Sequence, residues 1–161
     1  MCVGSGENSG VRTIKIGGNT MLKFDANSFL QAVGKEAFSK REEIETVVDA
    51  ISQKGFKNIF LIGSGGTIAM MYPYEYIFKS TSSLEVHAEI AAELLVVNNR
   101  HLTKDSVCIF ASVTGTTKET VAAAEFCKEK GATTIGLVAI PDTPLAKAVD
   151  YCISTGKEKH S

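Results

Sequence analysis

Two short segments of this chain combine glycines and hydroxyls in a way that can hold an anion. The first is Gly63-Ser64-Gly65-Gly66-Thr67, which follows an apolar run and opens a helical pattern. Glycine lets the backbone approach a ligand closely, and a helix N-terminus offers free N–H groups to negative charge. The second, Ser112-Val113-Thr114-Gly115-Thr116-Thr117-Lys118-Glu119-Thr120, packs five hydroxyls into nine residues, again between strand and helix patterns. Hydroxyls and backbone amides together can surround a phosphate without a strongly basic surface. Each segment also has a purely structural reading. Gly63 to Thr67 can serve only as a tight turn, and Thr116 with Glu119 fits a Thr-x-x-Glu capping box that needs no ligand. Both together, at separate strand ends of one sheet, point to phosphate binding.

Other phosphate motifs fit less well. Gly63-x-Gly65-x-x-Ile68 lacks the third glycine of a dinucleotide fingerprint, although Glu85 lies where that fingerprint wants an acid. NAD binding therefore stays a weaker alternative. No Gly-Lys-Ser/Thr follows the loop, so a P-loop is not supported. The four cysteines, Cys2, Cys108, Cys127 and Cys152, are widely spaced with no Cys-x-x-Cys. That argues against a zinc site and for buried thiols in a reducing, cytoplasmic setting. His87 and His101 read as surface or loop residues, and no metal is expected.

The elements that must carry these loops follow from periodicity. Asp25 to Lys54 reads as helical, with Ile44, Val47, Val48 and Ile51 forming one apolar stripe and Gly55 ending it. Asn58–Ile62, Ser106–Ser112 and Thr133–Ala139 are short apolar runs suited to strands buried on both faces. Ser83–His87 and Tyr151–Ser154 are weaker strand candidates. Thr67–Lys79 (interrupted by Pro73), Ala88–Asn98, Thr117–Lys130 and Pro144–Val149 read as helices. This alternation predicts an α/β fold, with helices on both faces of a parallel sheet. Residues 1–20 read as a flexible N-terminal extension, and 21–161 as one domain. With 161 residues and 44% hydrophobic content, the chain can bury a real core. Its net charge of −1 argues against a general nucleic-acid surface. The longest uncharged run, Asn58 to Tyr74, holds three glycines and a proline, so it does not read as a membrane span. The N-terminus shows no secretory pattern.

In order and spacing, the two loops resemble those of the SIS (sugar isomerase) domain family. The first loop is similar to the family's Gly-x-Gly-x-Ser/Thr, and Ser112 to Thr120 to its Ser-x-Ser-Gly-x-Thr-x-x-Thr. Ala91-Ala92-Glu93-Leu94 is similar to the intervening Ala-Ser-Glu-Phe. The resemblance runs from about Asp25 to the end. It is nearest to the N-terminal SIS half of fructosamine- and fructoselysine-6-phosphate deglycases and of the isomerase part of glutamine–fructose-6-phosphate aminotransferase. Gly65-Gly66-Thr67 and Thr117-Lys118-Glu119-Thr120 tilt it towards the deglycases.

The resemblance implies a three-layer αβα sandwich with a parallel, flavodoxin-like sheet of about five strands. It implies that Ser64, Gly65, Thr67, Ser112, Thr114, Gly115 and Thr117 hold the phosphate of a hexose phosphate, and that Val113, Ile140 and Glu93 contact the sugar. Val113 stands where the aminotransferases have glutamine, and Thr114 where they have serine. No cofactor is implied. The expected partners are a small sugar phosphate and another SIS domain in a homodimer or higher oligomer. Neither nucleic acid nor membrane is expected. Such relatives carry two SIS domains, and their proton-transferring Glu and His come from the second domain or a neighbouring subunit. The chain therefore reads as the first half of such a protein, binding sugar phosphate without its catalytic acid and base. A complete one-domain sugar-phosphate isomerase and a sugar-phosphate-sensing module are the rival readings.

Overall fold

The computed structural model describes residues 11–16, 19–25 and 37–155, with side chains from Phe38 onward. The chain divides into two compact units, residues 1–39 and 40–161. In the first, β1 (Val11–Ile16) pairs antiparallel with β2 (Asn19–Asp25), with Ile14 opposite Leu22 and a register irregularity after Ile14. Met21 lies inside β2, so the expected division after residue 20 falls within this hairpin. Residues 1–10 and 26–36 lie outside the described residues.

The second unit is built on a five-stranded parallel sheet. Its elements are α1 (Arg41–Lys54), β3 (Asn58–Gly63), α2 (Gly66–Thr81), β4 (Glu85–Ile90), α3 (Ala91–Val97), β5 (Ser106–Ser112), α4 (Lys118–Glu129), β6 (Thr133–Val138), α5 (Pro144–Ala148) and β7 (Tyr151–Ser154). The strand order is β4-β3-β5-β6-β7, every pair parallel. This is the flavodoxin-like order, and its direction reverses between β3 and β5. In such sheets ligands bind outside the carboxyl ends of the strands at that reversal.

Alternate residues of each strand feed opposite faces, as the two-residue side-chain period requires. On one face Phe60, Ile62, Cys108 and Phe110 pack with Leu94 of α3, Ala123, Ala124 and Cys127 of α4, and Leu145 of α5. All nine are fully buried. On the other face Leu61 and Val86 meet Ile68 and Met71 of α2, while Val107 and Ile135 meet Ile51 of α1. Three layers result. Cys108 and Cys127 are buried free thiols, and the Cys127 thiol beside it, together with burial, pushes the Cys108 thiol up.

Several helix and strand limits differ from the sequence reading. The described helix before β3 is α1 alone, with a single turn at Ala37–Ser39 ahead of it, while Asp25 ends β2. Acidic Glu42 and Glu43 in the first turn of α1 and Lys54 in its last complement the helix dipole. Its apolar stripe is only half used: Ile51 is buried, but Ile44 and Val48 are 40% and 53% exposed. Pro73 does not interrupt α2, which runs on to Thr81. Proline removes the bond to the Ala69 carbonyl, but both residues are exposed, so water can take the freed acceptor. Ala88, Glu89 and Ile90 pair with Leu61, Ile62 and Gly63 and are strand, not helix. Ladder formation against β3 overrides their helical propensity. Among the described residues, no helix is long and apolar enough to cross a membrane.

Candidate functional site

The loop after β3 is shaped by its own hydroxyl. The Ser64 amide donates to Thr67 Oγ1 (3.1 Å), and Thr67 Oγ1 donates back to the Ser64 carbonyl (2.9 Å). Gly63 makes room for this: a Cβ there would lie 2.7 Å from Thr67 Oγ1 and 2.9 Å from the Ile68 amide nitrogen. Gly65, at the N-cap of α2 with φ 58°, supplies no side-chain cap. The exposed Gly65-Gly66 backbone therefore presents the positive end of the helix to solvent.

The loop after β5 is tied by Ser112, which is almost fully buried. Its Oγ accepts from the Gly115 amide (3.1 Å) and lies 3.2 Å from Thr117 Oγ1. The Thr116–Glu119 capping box does not form. Thr117, not Thr116, is the N-cap of α4, and no side chain caps that helix. The Thr116 hydroxyl instead donates to Thr114 Oγ1 (2.9 Å). Helix α4 thus keeps an uncapped N-terminus, and Thr114, Thr116 and Thr117 are all at least partly open to solvent.

The two loops meet. Ser64 Oγ lies 3.4 Å from Oγ1 of Thr120, which is fully buried on the first turn of α4. Ser64, Thr67, Ser112, Thr117 and Thr120 therefore surround the ends of β3 and β5, at the reversal of strand order. The only formal charges in the two segments are Lys118 and Glu119, both exposed. An anion here would be held by amides and hydroxyls.

A third loop completes the neighbourhood. Gly115 has φ 63°, and a Cβ on it would run into Oγ1 of Thr143. The Gly115 carbonyl accepts from the Leu145 amide (3.0 Å), and the Val113 carbonyl from the Ala139 amide (3.1 Å). Between these loops lies a cleft of about 370 Å³, walled by Thr114, Thr116, Ile140, Asp142 and Thr143 with two prolines. Asp142 pairs with Lys147 at the exposed rim (2.9 Å).

Of the residues expected from sequence, the structure joins Ser64 and Thr67 in one loop, Ser112, Gly115 and Thr117 in the other, and Thr114 with Ile140 in the cleft. Val113 is 61% exposed and reaches the third loop only through its backbone. Glu93, in the first turn of α3, is exposed and bonded to neither loop. Sequence reasoning missed Thr120 as the bridge and Thr143 as a cleft wall. Thr143 had a local signal, since a threonine before proline marks a helix start, and its hydroxyl does cap α5.

Comparison with known proteins bears on the family and the fold. The SIS domain family model matches residues 50–161. The fructosamine deglycase FrlB of Bacillus subtilis is 34% identical over 110 residues, 68% of this chain and 34% of that protein. The glutamine–fructose-6-phosphate aminotransferase of Chlamydia pneumoniae is 31% identical over 101 residues, 62% of this chain and 16% of that protein. A solved candidate phosphosugar isomerase from Salmonella typhimurium LT2 superposes with a TM-score of 0.64 at 39% identity, covering 67% of this chain and 33% of the other. The chain thus spans about a third of the length of the deglycase it matches.

Proposed function

The chain belongs to the SIS domain family, and from that premise we propose that it binds a hexose 6-phosphate or fructosamine 6-phosphate at the ends of β3 and β5. The reading rests on one observation above all. The glycine- and hydroxyl-rich loops meet through Ser64 and Thr120 where the strand order reverses. The phosphate sits on the uncapped N-termini of α2 and α4, with Ser64, Gly65, Thr67, Ser112, Thr114, Gly115 and Thr117 around it. The sugar extends towards Val113, Ile140 and the cleft beside them, with Glu93 approaching from the β4 side.

The parent activity we assign is that of a fructosamine-6-phosphate deglycase or a ketose–aldose aminoisomerase. A base takes a proton from C1 of the open-chain ketosamine, giving an enolamine, and its return to C2 leaves an imine at C1. In the deglycase, hydrolysis then releases the amine and glucose 6-phosphate. The phosphate is the handle that holds the reacting carbons in place. The acid and base come from a second SIS domain, so this chain, as the first of two such domains, binds without turnover. Among the described residues, an incompletely covered apolar face supports assembly with a second copy of the chain. Met70, Tyr74 and Ile77 form an exposed stripe on α2, and Ile44, Val48 and Leu137 are exposed on the same side of the sheet. A second copy of the chain covers this face in a homodimer, and the protein works in the cytoplasm.

Calorimetric titration tests the binding. Heat with fructose 6-phosphate or glucose 6-phosphate, and none with fructose or NAD, is expected. Binding to NAD alone would overturn the reading.

A further inference from the structure

A different cluster lies at the opposite end of the sheet. Glu85 and His87 share one side of β4, two residues apart, as strand geometry dictates. His101 reaches them from the connection between α3 and β5. Glu85 Oε1 lies 3.0 Å from His87 Nε2 and 3.0 Å from His101 Nδ1. These donor atoms all fall within 4.8 Å of one another. Among the described residues, no other trio of histidine, cysteine or acidic side chains gathers in this way.

The His87 ring and the His101 backbone are held in place by other groups. His87 is half-buried and stacks on the fully buried Phe60 ring, with centroids 4.8 Å apart. The His101 carbonyl accepts from the Asn58 amide group (3.0 Å) and from the Ser106 hydroxyl (3.3 Å), two buried side chains. Its amide donates to Asn99 Oδ1 (2.9 Å), and Asn99 in turn bonds Glu89 (2.8 Å). The backbone that presents His101 is therefore fixed from both sides, while its exposed ring can turn towards the ion.

We propose that Glu85, His87 and His101 bind one divalent transition-metal ion, zinc by preference. Two imidazole nitrogens and one carboxylate oxygen are a set that zinc takes in tetrahedral sites, with a fourth position left to water. Ligand bonds of about 2.1 Å place tetrahedral donors roughly 3.4 Å apart, so the two 3.0 Å carboxylate–imidazole distances must open slightly and the two imidazole nitrogens must swing together from the 4.8 Å limit of the cluster. Nitrogen donors disfavour magnesium and calcium, which take oxygen. The exposed edges of Glu85 and His101 give the ion a way in. The site is distinct from the phosphate loops: Glu85 pairs with Asn58 at the start of β3, whereas Gly63 ends it. Its effect is to staple the start of β4 to the 98–105 connection.

The test is calorimetry and thermal unfolding of the full chain with zinc chloride, with magnesium as control. One zinc per chain is expected, with a Kd in the low micromolar range or tighter. Zinc at 100 times Kd should raise the unfolding midpoint by roughly 5–10 °C. His101→Asn and Glu85→Gln should each weaken binding tenfold or more. Both residues are exposed, so the fold should survive, with unchanged circular dichroism. Cys2→Ser with His160→Asn removes donors outside the described residues and should leave affinity unchanged. No binding below 100 μM, affinity retained in His101→Asn, or loss in the Cys2/His160 variant would overturn the proposal.

Discussion

Gly115→Ala tests how the third loop is joined to the phosphate loops. Gly115 has φ 63°, where an L-residue costs about 1–2 kcal/mol. The new Cβ would also press on Thr143, whose Cβ would be 2.6 Å away. Thr143 is buried and caps α5, so it cannot simply swing aside. Overpacking of this kind costs about 1–3 kcal/mol. If the loop moves instead, it strains the bonds from Gly115 N–H to Ser112 and from Leu145 N–H to the Gly115 carbonyl, at about 1 kcal/mol each. By either route the whole is about 2–5 kcal/mol, which lowers the unfolding midpoint by roughly 5–20 °C in a chain of this size. Two other glycines calibrate the result. Gly65 has φ 58° but nothing within 4 Å of its Cβ position, so Gly65→Ala should cost only the backbone term. Gly66 has neither constraint and opens a helix, so Gly66→Ala should be neutral or stabilising by up to about 1 kcal/mol. Thermal unfolding by circular dichroism reads all three. Thr143→Ala in the Gly115→Ala background should lose less than the two single effects combined, because it trims the atoms in the way. Full additivity of Gly115→Ala and Thr143→Ala would refute the reasoning, since it would show that Thr143 exerts no pressure on the new methyl.

Thr117→Val should weaken fructose 6-phosphate binding roughly tenfold or more, because a hydrogen bond to a charged group is worth about 1.5–3 kcal/mol. Adding Ser112→Ala should weaken it further, and calorimetry with unchanged affinity would count against these hydroxyls. Asp150 offers a pH test. Burial opposes its charge, but the Thr134 amide and hydroxyl and Lys128 outweigh that and hold its carboxyl below its ordinary 3.8. A depressed carboxylate contributes stability above its unfolded pKa and loses it as pH falls through the folded one. Wild type should therefore lose stability below about pH 4 more steeply than Asp150→Asn, measured as midpoint against pH. Val48→Glu should shift sedimentation from the proposed dimer to monomer with the circular dichroism spectrum unchanged, because Val48 is 53% exposed.

The parts of the fold legible in the sequence are those decided locally. Asn58–Ile62 and Ser106–Ser112 are short runs with apolar residues on both faces, which suits a central parallel strand, and glycines or hydroxyls follow each run. The sheet and its two loops could be placed on that basis. What escaped was decided by contacts that the local pattern does not contain. Ala88–Ile90 carries helical residue types and becomes strand because β3 offers it a ladder. Thr116 and Glu119 have capping-box spacing, but Ser112 draws in Thr117 and the helix starts one residue later. Ile44 and Val48 complete a helical stripe, yet the sheet beneath α1 covers only its Ile51 end. Thr120 reads as one more hydroxyl of the motif. Its place as the bridge to Ser64 depends on how α4 docks beside β3 and β5.

The most direct test of where ligand binds is amide NMR of the labelled chain titrated with fructose 6-phosphate. Shifts concentrated at Ser64–Thr67 and Thr114–Lys118, with smaller ones at Ala139–Thr143, are the predicted result. Fructose should leave them unmoved. Saturable shifts that spare both loops and appear elsewhere in the domain would contradict the assignment of the β3 and β5 ends as the phosphate site.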